Sequence, residues 1–376
     1  MTYVNLLADL DDERFSPRAV HHALEGIDAR GLRPLREHHT PERILGWIDE
    51  TFGGTWSSEA AAGGAWIVED DRGPLGFAAY APRGLQYHWL RRWAAEDDVG
   101  VFGPIGVAPR AQQTGVGKVL LHAALFSLRE RGYRRALIPV VGTPELTAFY
   151  ERNAAARVVE DVDLGRNGRR WRATVLASGN GTNFAAVLEA AARGTIPLDM
   201  TALVTNTASA YALERSTRAN IPARTLVWDR ANELRETYDA RVAEVVAASE
   251  PDLVLLLGWM HVFSASFIAR FPAMLNLHPA FLPLRPEDDA ATMPDGTRLP
   301  AFRGARAVDD ALAGGSRWSG ASVHKVELAV DRGIVLARAP LALDPNETRA
   351  DLNDRLHALE RRVVTTAIRR WTWEQP

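Results

Sequence analysis

The stretch that most constrains the fold is Asp252-Leu253-Val254-Leu255-Leu256-Leu257, an unbroken apolar run behind one carboxylate. It is far too short to cross a membrane. It lacks the alternation of a half-solvated strand, so it reads as a central parallel strand covered on both faces. Parallel strands need crossover connections, and the flanking sequence supplies them. Residues 173–177, 200–204 and 223–227 read as strands, and residues 183–192, 209–219 and 232–248 as helices between them. This alternation predicts a doubly wound (Rossmann-like) α/β sheet in the second half.

The first half is patterned differently. Its first sixty residues read as helices joined by polar turns, one starting at Thr40-Pro41-Glu42-Arg43. Residues 65–68 and 75–80 read as strands, with Asp70-Asp71-Arg72-Gly73 as the hairpin turn. A short helix over 85–95 and a strand over 99–107 follow. Next comes the loop Pro109-Arg110-Ala111-Gln112-Gln113-Thr114-Gly115-Val116-Gly117-Lys118, then a helix to about 131 and a strand over 136–141. Strand end, glycine turn and helix start together form an anion cradle suited to a pyrophosphate. An ordinary tight turn explains the same residues. The polar stretch 163–170 reads as a linker, which divides the chain into domains 1–168 and 169–376.

Bulk properties exclude several classes. The formal charge of -3 offers no basic surplus for nucleic acid. The absence of cysteine excludes disulfides, thiol catalysis and cysteine zinc sites. No apolar run reaches membrane-spanning length, and the first residues lack a basic, then apolar, leader. A cytoplasmic protein is expected, its oligomeric state open. His21-His22 and His38-His39 are adjacent pairs that do not share a helix face, so no metal site is expected.

The chemistry concentrates at Asn276-Leu277-His278-Pro279. Asn276 and His278 point to one side of a strand that Pro279 ends, at the edge where open α/β sheets bind ligands. A strand end with a capping Asn and a hydrogen-bonded His is the plain alternative. A second cradle, Ser178-Gly179-Asn180-Gly181-Thr182-Asn183, follows the first strand and suits phosphate or carboxylate. A glycine turn capped by Thr182 or Asn183 would look the same.

That loop, Gly258-Trp259-Met260-His261-Val262-Phe263-Ser264, Asn276-Leu277-His278-Pro279, Ser322-Val323-His324 and Asp331 occur in the order found in 10-formyltetrahydrofolate-dependent formyltransferases, especially the glycinamide ribonucleotide transformylase type. The second half resembles that family. The resemblance implies Asn276, His278 and Asp331 as the catalytic trio: donors to an oxyanion, and a relay for the proton of an attacking amine. It places the folate against Met260, His261 and Val262, and the acceptor at Gly181, Thr182, Asn183, Arg235 and Glu360. Asp331 is expected to raise the basicity of His278. Two departures stand out. Residues 284–303 are longer than expected after the His and should reshape the acceptor pocket, and the strand after Asp331-Arg332-Gly333 looks shortened.

Gln112-x-x-Gly115-x-Gly117, with Phe149-Tyr150-Glu151-Arg152-Asn153 further on, resembles GNAT-type N-acetyltransferases over residues 1–165. This implies acetyl-CoA held by Val107, Gln112, Gly115 and Gly117, with Tyr150 protonating the leaving thiolate. The strand 99–107 carries no carboxylate base. Glu96, Asp97 and Asp98 are the nearest candidates, although a solvated acidic turn explains them as well. The expected whole is a bifunctional enzyme that formylates and acetylates small-molecule amines. The alternatives are a formyltransferase with a non-catalytic acyl-CoA-binding or scaffolding module, and a formyltetrahydrofolate hydrolase.

Overall fold

The structure is a computed structural model that describes residues 3–82, 85, 87–164, 168–344 and 346–375. It divides into two compact units. One comprises residues 1–167, 294–296 and 373–376, and the other residues 168–293 and 297–372. Gly165, Arg166 and Asn167 of the expected linker, and Gln86 of the expected helix over 85–95, lie outside the described residues.

The first unit is built on β1 (Tyr3–Asp9), β2 (Arg33–Glu37), β3 (Gly64–Asp70), β4 (Gly73–Tyr80), β5 (Val99–Val107), β6 (Arg135–Val141) and β7 (Arg157–Val162). They form a seven-stranded sheet in the order β2-β3-β4-β5-β6-β1-β7. Its helices are α1 (Pro17–Asp28), α2 (Glu42–Thr51), α3 (Trp56–Ala61), α4 (Arg91–Ala94), α5 (Val116–Glu130) and α6 (Pro144–Ala154). Leu120, Leu121, Ala124 and Leu128 of α5 join Leu6, Val68, Ala78 and Ile138 from the sheet in one core. The Asp70–Gly73 hairpin is as expected, with Asp70 accepting the Arg72 N–H at 2.9 Å.

Three strands were not legible. β1 lies inside the sheet between β6 and β7, although Asn5 interrupts its apolar run. The Asn5 amide donates to Glu160 at 3.0 Å and accepts from the Val140 N–H at 3.1 Å, which satisfies it in the interior. β2 pairs only with β3 and carries Arg33, Arg36 and Glu37, the charged pattern of an edge. β7 is likewise an edge strand. The helix expected over 85–95 shrinks to α4.

β5 and β6 pair in parallel only over Val99–Val101 with Arg135–Leu137. Beyond Val101, β5 continues against β4. The sheet therefore opens between the later halves of β5 and β6.

The second unit contains β8 (Trp171–Leu176), β9 (Leu198–Thr205), β10 (Ala223–Thr225), β11 (Leu253–Leu256), β12 (Met274–His278), β13 (Ala290–Thr292), β14 (Arg298–Pro300), β15 (Trp318–Lys325) and β16 (Val335–Ala342). Its helices are α7 (Thr182–Ala192), α8 (Ala212–Arg218), α9 (Arg235–Ala247), α10 (Ala265–Arg270), α11 (Ala307–Ala313) and α12 (Arg349–Glu374), the last belonging to this unit as far as Thr372. The main sheet runs β10-β9-β8-β11-β12-β15-β16. Its first five strands are parallel, while β15 and β16 run antiparallel to their neighbours.

The apolar run is covered on both faces. Leu253 and Leu255 pack with Phe184 and Val187 of α7 and with Leu359 and Val363 of α12. Val254 and Leu256 pack with Tyr238 and Val242 of α9 and Phe267 of α10. β16 spans eight residues, as many as β15, so the expected shortening does not occur. The long segment after Pro283 folds as the β13–β14 hairpin, and Ala291, Met293 and Leu299 close a small core over Phe281.

Candidate functional site

β12 lies beside β11 on one edge and β15 on the other, so its C-terminal end emerges at the mouth of the sheet. The antiparallel register sets Asn276 opposite His324 and His278 opposite Ser322. Ser322 Oγ donates to the Ala280 carbonyl at 2.7 Å and accepts the Leu282 N–H at 2.9 Å. Arg338, fully buried, donates to the Leu282 carbonyl at 2.8 Å and lies over the Phe281 ring. The chain leaving His278 is thus tied down before the hairpin begins.

Asp331 reaches this strand end from the turn between β15 and β16. Asn276 Nδ2 donates to Asp331 Oδ1 at 3.3 Å, and His278 Nδ1 lies 3.5 Å from Asp331 Oδ2. The Gly304 N–H donates to Oδ2 at 2.7 Å. His324 Nε2 sits 3.3 Å from Oδ1 and 3.2 Å from Asn276 Nδ2, while its Nδ1 faces the Lys325 carbonyl at 2.8 Å. Asp331 adopts φ +52°, a left-handed conformation uncommon for residues with a Cβ, and these contacts hold it there. Two residues on, a Cβ on Gly333 would stand 1.6 Å from the Lys325 carbonyl oxygen, so only glycine completes the turn.

The electrostatics separate the two partners. Burial pushes the Asp331 carboxyl up, but the His324 hydrogen bond, the His278 ring and the Gly304 N–H outweigh it and hold it at about 2. His278 is 4% exposed, and desolvation lowers its pKa against the pull of Asp331. Asp331 does raise the basicity of His278, as expected, but burial outweighs that contribution and the net shift is downward. Nε2 of His278 faces the Phe302 carbonyl at 2.7 Å and so carries a proton. In the neutral ring the lone pair is then on Nδ1, turned toward Asp331.

Asn276, His278 and Asp331 line a cavity of about 370 Å³. Gly181, Thr182, Asn183, Met260, His261, Val262 and Glu360 line the same cavity. Gly181 has φ +70°, and a Cβ there would come within 2.8 Å of Ala212 Cβ, so the loop before α7 requires glycine. Among the described residues no side chain caps α7. Asn183 instead donates to Glu360 at 2.8 Å, and burial raises the Glu360 pKa against that bond. Asn183 Oδ1, Trp259 Nε1 and His261 Nδ1 are buried with no hydrogen-bond partner among the described residues. Met260 and Val262 are exposed at the turn beside them.

Arg235, expected at the acceptor, sits apart from the other expected residues. It does not line the cavity. Its Nε is 2.9 Å from Asp239 Oδ1, one helical turn away, and its guanidinium donates to the Val262 carbonyl and lies over Trp228. An arginine that finds a carboxylate and a carbonyl this close is held as a brace of the 258–264 turn. Two other residues acquire a place that sequence reasoning left without a role: His324 and Ser322, both inside a segment already singled out.

In the first unit a cavity of about 690 Å³ occupies the opening between β5 and β6. Val107, Gln112, Gly115, Gly117 and Tyr150 all line it. Tyr150 is 6% exposed and burial pushes its phenol up, so it keeps its proton through the physiological range. Gly115 caps α5 in the left-handed conformation and starts the helix beside Lys118. Glu96 and Asp98 do not reach this cavity. Both bind Arg135 at 2.6 Å, as an acidic turn paired with a strand arginine.

Residues 171–285 and 296–368 match the formyl transferase family, and residues 30–155 match the acetyltransferase (GNAT) family. The break in the first match falls inside the β13–β14 segment. The chain is 33% identical over 199 residues to phosphoribosylglycinamide formyltransferase of Mycobacterium tuberculosis, covering 52% of this chain and 83% of that protein. It is 32% identical over 204 residues to the trifunctional purine biosynthetic protein adenosine-3 of Drosophila melanogaster, covering 53% of this chain but only 14% of that protein. The structure of glycinamide ribonucleotide transformylase 1 from Symbiobacterium toebii is similar with 32% identity and a TM-score of 0.47, over 56% of this chain and 89% of that one. No helix among the described residues is long and apolar enough to cross a membrane. The chain is a transferase that belongs to the formyl transferase family through its second half, with a first half of the GNAT acetyltransferase type.

Proposed function

We propose that residues 169–376 transfer a formyl group from 10-formyltetrahydrofolate to the amine of a small acceptor. We further propose that residues 1–168 transfer acetyl from acetyl-CoA to an amine, both in the cytoplasm. The families matched use these two donors. The observation that carries the first part is the convergence of Asn276, His278 and Asp331 on one cavity with the 181–183 loop and Glu360.

The cavity fits the folate donor. The exposed Met260 and Val262 offer apolar surface to a flat heterocycle, and the unpartnered Trp259 Nε1 and His261 Nδ1 supply polar groups beside it. When bound, the donor supplies an electrophilic formyl carbon. The Asn276 amide is placed to donate to an oxyanion. Neutral His278 takes a proton from the attacking amine at Nδ1, the imidazolium forms next to the ionised Asp331, and the ring then gives that proton to the donor nitrogen as its bond to the formyl carbon breaks. Asp331 stays charged throughout, stabilising the protonated ring without taking the proton itself. The 181–183 loop and Glu360 would hold the acceptor, through backbone N–H groups for an anionic group and through the carboxylate for a donor.

In the first unit, the loop from Gln112 to Gly117 and the start of α5 would hold the pyrophosphate of acetyl-CoA, and the Tyr150 phenol would protonate the leaving thiolate. Full-length protein incubated with both donors and a panel of amines, read by mass spectrometry, tests the pair. Formylated and acetylated products are expected. Formate release without an amine product would instead indicate hydrolysis.

A further inference from the structure

The pairing of β1 slips on both sides at Asn5. Against β6, Leu6 stands opposite Ile138 and Val4 opposite Val141, so Asn5 alone faces two residues, Pro139 and Val140. Against β7, Asn5 faces Glu160 and Leu6 faces Val158, which leaves Val159 over. A bulge bends the strand that holds the extra residue and takes a backbone group out of the ladder. Val140 adopts φ +57°, a left-handed conformation that is an outlier for a β-branched side chain. Such a residue persists only where its surroundings hold it. Here the fully buried Asn5 amide does so. Its Oδ1 accepts the Val140 N–H at 3.1 Å, and its Nδ2 donates to Glu160 Oε2 at 3.0 Å. The Trp93 indole N–H donates to the same Glu160 oxygen at 2.9 Å.

The bulge sits where the first-unit cleft begins. The parallel pairing of β6 with β5 ends at Leu137, opposite Val101. The next four residues of β6, Ile138 to Val141, all line the cavity, as do residues 102–107 of β5. Pro139 has no N–H to offer β5, and the bulge turns the strand aside at Val140. Trp93 shares a core with Tyr87, Trp89 and Leu90, which line the same cavity, so the Asn5–Glu160 pair joins the bulged strand to that wall. Asn5 and Glu160 both lie outside residues 30–155, so the match to the acetyltransferase family does not account for the pair. We propose that Asn5 is a positioning residue of the acyl-CoA cleft: it fixes the Pro139–Val140 bulge, and the bulge holds β6 apart from β5 so that acetyl-CoA enters between them. The inference rests on the acetyltransferase reading of the first unit. It adds a residue that acts through the Val140 backbone without lining the cavity itself.

The test measures acetyl-CoA binding to full-length protein by calorimetry, in a double-mutant cycle. Asn5→Leu keeps roughly the volume, removes both amide bonds and orphans the Val140 N–H. In the wild-type background it should raise the Kd for acetyl-CoA about 10-fold or more, in a protein whose circular dichroism matches wild type. Glycine takes positive φ without the cost a valine meets, so the bulge depends less on Asn5 once Val140 is glycine. In a Val140→Gly background, Asn5→Leu should therefore raise the Kd by only about threefold or less. A residue needed for stability alone would cost as much in either background, or more in the second. Should Asn5→Leu not fold, Asn5→Ser, which leaves room for a water at the N–H, carries the same comparison. An unchanged Kd in the Asn5 variant, or an equal loss in both backgrounds, would overturn the positioning role. Failure of the wild type to bind acetyl-CoA would overturn the acetyltransferase reading itself.

Discussion

The Gly304 backbone N–H donates to Asp331 Oδ2 at 2.7 Å. Gly304 ends the segment that holds the β13–β14 hairpin, so the segment after Pro283 is fastened to the carboxylate of the candidate trio. Arg303 adds three bonds: to the Asp331 carbonyl at 3.2 Å, to Asp289 at 3.0 Å and to the Asp288 carbonyl at 2.7 Å. Arg332 reaches Asp289 at 2.5 Å and the Pro286 carbonyl at 3.0 Å from the other side. Arg303→Ala should therefore loosen the Asp331 turn. A displacement of about 1 Å at the reacting groups can cost on the order of 100-fold. The expected result is a 10- to 100-fold fall in formyl-transfer kcat, roughly, with folate affinity nearly unchanged. Equal kcat in the variant would show that the clamp does not position Asp331.

Asn276→Ala and His278→Ala remove an oxyanion donor and the proton acceptor. Each should lower formyl transfer by about 100-fold or more and leave folate binding, followed by fluorescence titration, close to wild type. Wild-type rates in both would remove the trio from the mechanism.

The pH dependence follows from the sign of the His278 shift. Its pKa is depressed below the ordinary 6.5, and the neutral ring is the form that accepts a proton. The rate should rise with pH through a limb lying below 6.5 and be level at neutrality. Asp331 raises the His278 pKa, so Asp331→Asn should move that limb to still lower pH while reducing the plateau. A limb above 6.5 in the wild type would contradict the neutral-base assignment.

Gly333→Ala tests the turn by stability. Its Cβ would meet the Lys325 carbonyl at 1.6 Å, so backbone must move. A loss of about 3 kcal/mol or more is expected in urea unfolding of the second unit's transition. A change under about 0.5 kcal/mol would mean the turn relaxes freely.

Gly117→Glu places a carboxylate in the first-unit cradle, where an added Cβ would stand 3.3 Å from Val107 Cγ2. Acetyl-CoA binding should be lost and formyl transfer retained. Loss of both would show that the two activities depend on each other.

Much of this was legible because the chemistry sits on strongly patterned elements. The run 253–257 could only be a doubly covered strand, and Pro279 fixed where its neighbour ends, so Asn276 and His278 were placed from sequence. Arg235 was not, because its partners, Asp239 one turn on and the Val262 carbonyl, are choices made by packing. His324 and Ser322 lay in a quoted segment, but their contacts depend on the antiparallel register of β15 against β12, which no local pattern encodes. β1 was missed because Asn5 breaks its apolar run and is satisfied only by Glu160 and Val140, far along the chain.

The most direct test of the central claim is a mass-spectrometric screen of full-length wild type and His278→Ala with 10-formyltetrahydrofolate and candidate amines. Wild type should give an N-formyl product from at least one small amine, and His278→Ala almost none. No formylated amine from the wild type, with formate accumulating at the rate the folate is consumed, would contradict a formyl transferase acting on an amine.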